Sequence, residues 1–165
     1  LYLLRHGQTR YNAELRLQGR CNSDLTAKGE AQAAAMGARL HELLDDAARW
    51  TLYASPLGRA RQTAQLVCQQ LGFDSERIVW DERLVELDMG EWESRRVPEL
   101  LAAHPDLDLE QPDWYLQAPE GESFESIQRR ARSWLQDERI AERARSVRLA
   151  MKSLVRIGTL FSDWL

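Results

Sequence analysis

The sequence predicts an α/β fold, a three-layer α/β/α sandwich with a mainly parallel central sheet. Three features carry this expectation. Short apolar runs alternate along the chain with stretches of helical periodicity, the pattern of strands joined by crossover helices. The first run, Leu1-Tyr2-Leu3-Leu4, stops abruptly at Arg5-His6-Gly7, as a buried strand does on reaching the rim of its sheet. Helix signals follow at chemically sensible places, with Thr26 as an N-cap and Gly72 just past a helix end. A chain of 165 residues is long enough to bury a proper core and suggests one domain over residues 1–165.

The elements follow in order. After the first strand, residues 8–24 are rich in Asn, Gln, Arg and Gly and read as a loop. Thr26 caps a helix running to about Leu44, whose buried stripe is Ala33, Gly37, Leu40 and Leu44. Trp50 to Ala54 is the second strand, ended by Ser55-Pro56. A helix from Gly58 to Leu71 follows, then a short third strand from Arg77 to Trp80. Glu82 to Glu93 reads as an acidic loop, and Val97 to Ala103 as a short helix broken by Pro105. Residues 94–121 form a capping excursion, of which 104–121, rich in Pro, Asp and Glu, reads as surface. A long helix from Glu122 to about Arg145 turns Phe124, Ile127, Ala131, Trp134 and Leu135 inward. Val147 to Met151 is a fourth strand, and Ser153 to Leu165 a last helix.

Composition narrows the function. Hydrophobic residues make up 44% and charged residues 29%, an ordinary soluble balance. A net charge of -4 argues against a nucleic-acid surface, which wants a basic stripe. A mildly acidic protein that binds an anion must gather its positive charge locally, which draws attention to clustered Arg residues. No apolar run reaches the roughly 18 residues that a membrane span needs, and no signal peptide is visible. The sequence opens at Leu1 and not at Met, so residues are expected ahead of it. Cys21 and Cys68 fit no CxxC pattern and read as reduced thiols in a reducing compartment, which suggests the cytoplasm. Six Trp residues are many, and some are expected to line a groove or cap. No GxxxxGK[ST] loop and no EF-hand pattern occurs, so neither a P-loop nucleotide nor calcium is expected. An edge strand offers a surface for a homodimer.

Ligands of parallel sheets sit beyond the C-terminal ends of the strands. That rule gathers Arg5 and His6, the Ser55 loop and the Glu86 loop at one crevice. A neutral imidazole is a competent nucleophile toward phosphorus near pH 7, provided its other ring nitrogen is held by an acceptor. Arg5 beside it supplies a planar fork for phosphate oxygens. On the tripeptide alone, a strand end with incidental charges is an equally good reading. Arg59 opens a helix, where a cation opposes the macrodipole, and a bound anion there explains it better than a solvated charge. His41 reads as a surface residue and His104 as a turn residue.

Longer motifs decide between these readings. Leu4-Arg5-His6-Gly7-Gln8-Thr9, with Asn12, Gln18-Gly19, Asp24, Leu25-Thr26 and Gly29, resembles the opening signature of the histidine phosphatase superfamily, the phosphoglycerate mutase-like proteins. Ser55-Pro56-Leu57-Gly58-Arg59-Ala60-Arg61-Gln62-Thr63-Ala64 resembles the family's second arginine box. Leu84-Val85-Glu86-Leu87-Asp88-Met89-Gly90-Glu91-Trp92-Glu93 resembles its acid box, and Pro119-Glu120-Gly121-Glu122-Ser123 the entry to its long helix. The resemblance implies a phosphoglycerate mutase-like sandwich and a phosphomonoester hydrolase working through phosphohistidine. His6 would attack phosphorus, and Arg5 and Arg59 would clamp the equatorial oxygens. Asn12 and the backbone near Gly19 would add hydrogen bonds to phosphate. Glu86 would be general acid and then base, its pKa raised by burial and by carboxylates such as Asp88. Arg61 and Glu91 would be structural ion-pair residues. No metal and no cofactor is implied, and the partner is a small phosphorylated metabolite.

The sequence departs from the family at one place. Members carry a second histidine, in a Ser-His-Gly box after the last central strand. Here Met151 is followed by Lys152-Ser153-Leu154-Val155-Arg156-Ile157, and no histidine follows His104. Either residues are skipped between Met151 and Lys152, or the box is lost and the protein is a non-catalytic phosphate-binding relative. A phosphoglycerate mutase is the other enzymatic reading. Mutases of the family are longer and carry extra basic residues in an insertion, whereas residues 94–121 offer Arg95 and Arg96 and are otherwise short and acidic. Specificity is expected from this excursion, through Trp92, Trp114 and Tyr115.

Overall fold

The computed structural model describes residues 2–137 and 148–151. Four strands, β1 (Tyr2–Leu4), β2 (Thr51–Ala54), β3 (Val79–Trp80) and β4 (Arg148–Met151), form one sheet in the order β1-β4-β2-β3. Every pairing is parallel, with Tyr2 opposite Leu149, Leu52 opposite Leu149 and Tyr53 opposite Val79.

The helices follow from that order. The chain passes from β1 to β2 through α2 (Ala27–Leu43) and from β2 to β3 through α3 (Gly58–Leu71), stepping in one direction across the sheet. It returns to the inner position of β4 after α5 (Phe124–Leu135). Parallel crossovers are right-handed, so steps in opposite directions put their helices on opposite faces. The side chains agree. Leu52 and Ala54 pack with Leu40, Ala64, Val67 and Leu71 of α2 and α3. Tyr53, between them, turns to the other face and meets Trp134 of α5 edge-on at 5.9 Å.

Capping sets the ends. The Thr26 side chain accepts the Gly29 amide, and Gly72 ends α3 in the left-handed region at φ 70. Ala33, Gly37 and Leu40 are the buried face of α2 and Leu44 is its buried C-cap, as the stripe predicts. A short helix, α1 (Arg10–Ala13), stands where a loop is expected. Periodicity cannot reveal one turn, but its capping box can: Thr9 and Asn12 satisfy each other's backbone amides at 3.1 Å.

Several boundaries differ from the sequence reading. β2 begins at Thr51 because Trp50 closes a 3-10 turn capped by Asp46. β3 begins at Val79, since Asp74 caps a 3-10 turn over Ser75–Arg77. α5 begins at Phe124 with Ser123 as N-cap, so Glu122 stands outside the helix. Phe124 and Leu135 point outward, 44% and 61% exposed, because they sit at the two ends of α5, and Trp134 alone is fully buried. The continuation of that helix to Arg145, the Met151–Lys152 junction and the last helix lie outside the described residues.

The largest correction concerns residues 94–121, of which the later part is not a solvated excursion. After α4 (Val97–Ala103), Leu107, Trp114, Tyr115 and Ala118 are buried, and with Leu87, Met89, Trp92 and Leu100 they make a second apolar cluster. Trp92 stacks on Trp114 at 6.2 Å. The polar residues between them masked this core, because its apolar members keep no helical or strand period. Its base is fixed by backbone bonds between 15–17 and 94–97, among them Leu17 to Arg95 at 3.0 Å and Val97 to Leu15 at 2.9 Å.

Candidate active site

The site begins where β1 ends. Gly7 follows His6 and lies against the first turn of α2, where any Cβ would collide with the backbone of Gly29. Its amide donates to Thr63 Oγ1 at 3.1 Å, and that buried hydroxyl donates to the Arg59 carbonyl at 2.7 Å. One threonine thus ties the strand exit to the first turn of α3.

His6 is half-buried, with Nδ1 2.8 Å from the Gly7 carbonyl. A carbonyl only accepts, so that bond keeps the proton on Nδ1 and the lone pair on Nε2. Burial lowers the His6 pKa from 6.5 to about 4, and the Arg59 and Arg5 guanidinium groups push the same way. The ring is neutral at pH 7.

Arg59 stands in the first turn of α3, whose N-cap Leu57 offers no side-chain cap. It is 1% exposed, and its fork donates to the Gly19 carbonyl at 2.8 Å and the Cys21 carbonyl at 3.1 Å. Burial pushes this guanidinium below its ordinary pKa, and Glu86 and Glu93 oppose that push. Gly19 is left-handed at φ 52, and a Cβ there would overlap the Glu93 carboxylate. That carboxylate accepts the Arg20 amide at 2.6 Å and the Met89 amide at 3.3 Å. The Gly19 carbonyl therefore orients Arg59, a role the sequence reading did not give it. Asn12 uses its carbonyl in the capping box, which leaves its NH₂ as the group it can offer a ligand.

Glu86 is half-buried, and its Oε1 accepts the Leu87 amide at 3.1 Å. Asp88, expected beside it, instead caps the Gly90 amide at 2.9 Å and faces Arg20 at 3.4 Å. The main chain around Glu86 is held from both sides. Arg130 of α5 donates to the Val85 carbonyl at 2.7 Å and the Arg83 carbonyl at 3.1 Å. Arg20 donates to the Glu86 carbonyl at 3.4 Å. Both arginines converge on Glu122, whose carboxylate is nearly buried: Arg130 binds it at 2.9 and 3.0 Å and Arg20 at 3.2 Å.

Arg5, His6, Asn12, Gly19, Arg59 and Glu86, chosen from sequence, all line one cleft of about 210 Å³. Its further wall is apolar and includes Leu17, Met89, Val97, Trp114 and Tyr115. Arg5, which is exposed, and His6 also border a second hollow with Gln8 and Lys28. His41 and His104 are exposed and do not line the cleft; His104 packs against Trp92 at 5.6 Å. Arg61 lies over the Trp80 ring at 4.4 Å and donates to the Pro56 carbonyl, and among the described residues it forms no ion pair. Thr63, Glu122 and Arg130 are the residues sequence reasoning passed over. The first two stand inside motifs it quoted, but only the fold brings Arg130 beneath Val85.

A family model described as the histidine phosphatase superfamily (branch 1) matches residues 1–154. A curated relative from Escherichia coli O1:K1, named probable phosphoglycerate mutase GpmB, is 38% identical over 145 residues, 82% of this chain and 61% of its own length. The chain thus spans about three-fifths of that relative. Bacillus stearothermophilus YhfR has a similar structure at a TM-score of 0.72 and 34% identity, over 93% of this chain and 72% of that one. A mycobacterial glucosyl-3-phosphoglycerate phosphatase in complex with VO3 gives 0.73 at 28% identity, over 91% and 73%.

Proposed function

This chain belongs to the histidine phosphatase superfamily, and on that premise we propose that it hydrolyses a small phosphomonoester through a phosphohistidine at His6. One observation carries the reading: a neutral imidazole, its proton held on Nδ1 by the Gly7 carbonyl, borders a cleft with two arginines.

The first step joins His6 Nε2 to phosphorus as the P–O ester bond breaks. Arg5 and Arg59 stabilise the negative charge on the equatorial oxygens, a contribution of about a hundredfold or more per positioned donor. Glu86, in its protonated form, gives its proton to the leaving alkoxide. Water then attacks the phosphohistidine, Glu86 takes its proton, the P–N bond breaks and inorganic phosphate leaves. Asn12 NH₂ steadies a phosphate oxygen in both steps.

A mutase is the second reading, favoured by the name of the 38%-identical relative. The cleft favours hydrolysis, because Arg95 and Arg96 do not line it. Phosphate release over a panel of phosphorylated metabolites, beside 3- to 2-phosphoglycerate interconversion, separates the two. Hydrolysis that disappears in His6→Ala is expected. Interconversion without phosphate release would establish the mutase, and tight phosphate binding with no turnover of any ester would leave only a binding protein.

A further inference from the structure

The cleft's lining is more apolar than phosphate chemistry requires. Its cations Arg5 and Arg59 both act on the His6 ring. Leu15, Leu17, Met89, Val97, Trp114 and Tyr115 also line it. Besides Arg5 and Arg59, Arg16 is the one cation lining the cleft among the described residues, and it is engaged: Nε pairs with Glu14 at 2.7 Å and Nη1 donates to the Ser94 carbonyl at 2.8 Å.

A second observation comes from Gln18, which also lines the cleft. The residue is 8% exposed, and its Oε1 is buried with no hydrogen-bond partner among the described residues. A buried acceptor left unpaired costs about 1–3 kcal/mol, and a ligand that brought a donor to Gln18 would recover it. The volume suits such a ligand. An apolar cavity of about 150 Å³ holds a benzene ring, so about 210 Å³ takes a phosphoryl group with one ring-sized group attached.

We propose that the Leu15–Tyr115 wall is a leaving-group subsite for phosphomonoesters of an uncharged, ring-sized alcohol that offers an O–H or N–H to Gln18. Carboxylate-bearing esters such as phosphoglycerates fit it poorly, since a carboxylate against that wall would lose water and, among the described residues, meet only the engaged Arg16. This rests on the hydrolase reading only in assigning phosphorus to the His6 end.

Binding tests it independently of turnover. Calorimetric titrations compare methylphosphonate, 2-carboxyethylphosphonate, benzylphosphonate and the three hydroxybenzylphosphonates, with inorganic phosphate as reference. Benzylphosphonate should bind about tenfold or more tighter than methylphosphonate, from the apolar area it buries, and carboxyethylphosphonate no tighter than methylphosphonate. At least one hydroxybenzyl isomer should bind tighter still, and Gln18→Leu should remove that extra gain while keeping the benzyl preference. Leu15 is 54% exposed, so Leu15→Lys leaves the core intact and should turn the preference toward the carboxylate. Equal affinity for the methyl and benzyl compounds, a preference for the carboxylate in the unmutated protein, or no gain from any hydroxyl would overturn the proposal. Turnover of phosphomonoesters without the benzyl preference would sink the subsite and spare the hydrolase. No binding of phosphate or of any phosphonate would remove both.

Discussion

At the scale of single residues, the surroundings of His6 forbid the imidazolium, and the nucleophile proposed for it requires a neutral ring. Its folded pKa is about 4 against 6.5 in an open chain. Between those values the unfolded chain binds a proton that the folded chain refuses, so stability should rise with pH across that window and level off above it. Urea titrations from pH 4 to 7 check this, and His6→Asn should flatten the slope. The acid limb of kcat/KM in the free enzyme should likewise fall near pH 4 and not near 6.5. Thr63 makes a sharper case. It bridges the Gly7 amide and the Arg59 carbonyl from a fully buried position. Thr63→Val strands the Gly7 amide, while the Arg59 carbonyl keeps its helix bond, and should cost about 1–3 kcal/mol in stability with a loss of kcat, while Thr63→Ser restores the bond and most of the rate.

At the scale of elements, two loops are set by one carboxylate. Glu122 holds Arg130 under the Val85 carbonyl and Arg20 at the Glu86 carbonyl, and Arg20 adjoins the Gly19 carbonyl that orients Arg59. Glu122→Gln should lower kcat about tenfold or more, with KM for the phosphate end changed far less, because the acid loses its place before the clamp does. Steady-state kinetics with a panel of leaving groups reads this: the loss in kcat/KM, which reports the first step, should be greatest for alkyl esters and small for nitrophenyl esters, which need no proton to leave. The elements most legible in the sequence were those with a cap or a stop, such as α3 from Gly58 to Leu71. The strand-end rule also gathered Arg5, His6, the Ser55 loop and the Glu86 loop at one crevice, and Arg5, His6 and Glu86 line it. What stayed hidden was non-local. No period marks Trp114 and Tyr115 as buried, since they sit in a 3-10 turn whose partners, Trp92 and Leu100, are far off in the chain. Thr63 and Arg130 look ordinary until the fold supplies their acceptors.

At the scale of the whole molecule, the two apolar clusters divide the labour. The sheet core holds the strand end that carries His6, and Met89, Trp114 and Tyr115 of the second cluster line the same cleft. Trp134 joins α5 to the sheet at 3% exposure, so Trp134→Ala should cost about 3–5 kcal/mol and lower the thermal midpoint without altering the pH profile. The central claim is chemical, however, and one trapping experiment tests it most directly. Glu86→Gln, mixed with 4-nitrophenyl phosphate and quenched in alkali, should release a burst of nitrophenolate stoichiometric with protein. Mass spectrometry of its peptides should place one phosphoryl group on His6. Turnover by the unmutated protein with no burst in the variant and no phosphoryl group on His6 would contradict the account.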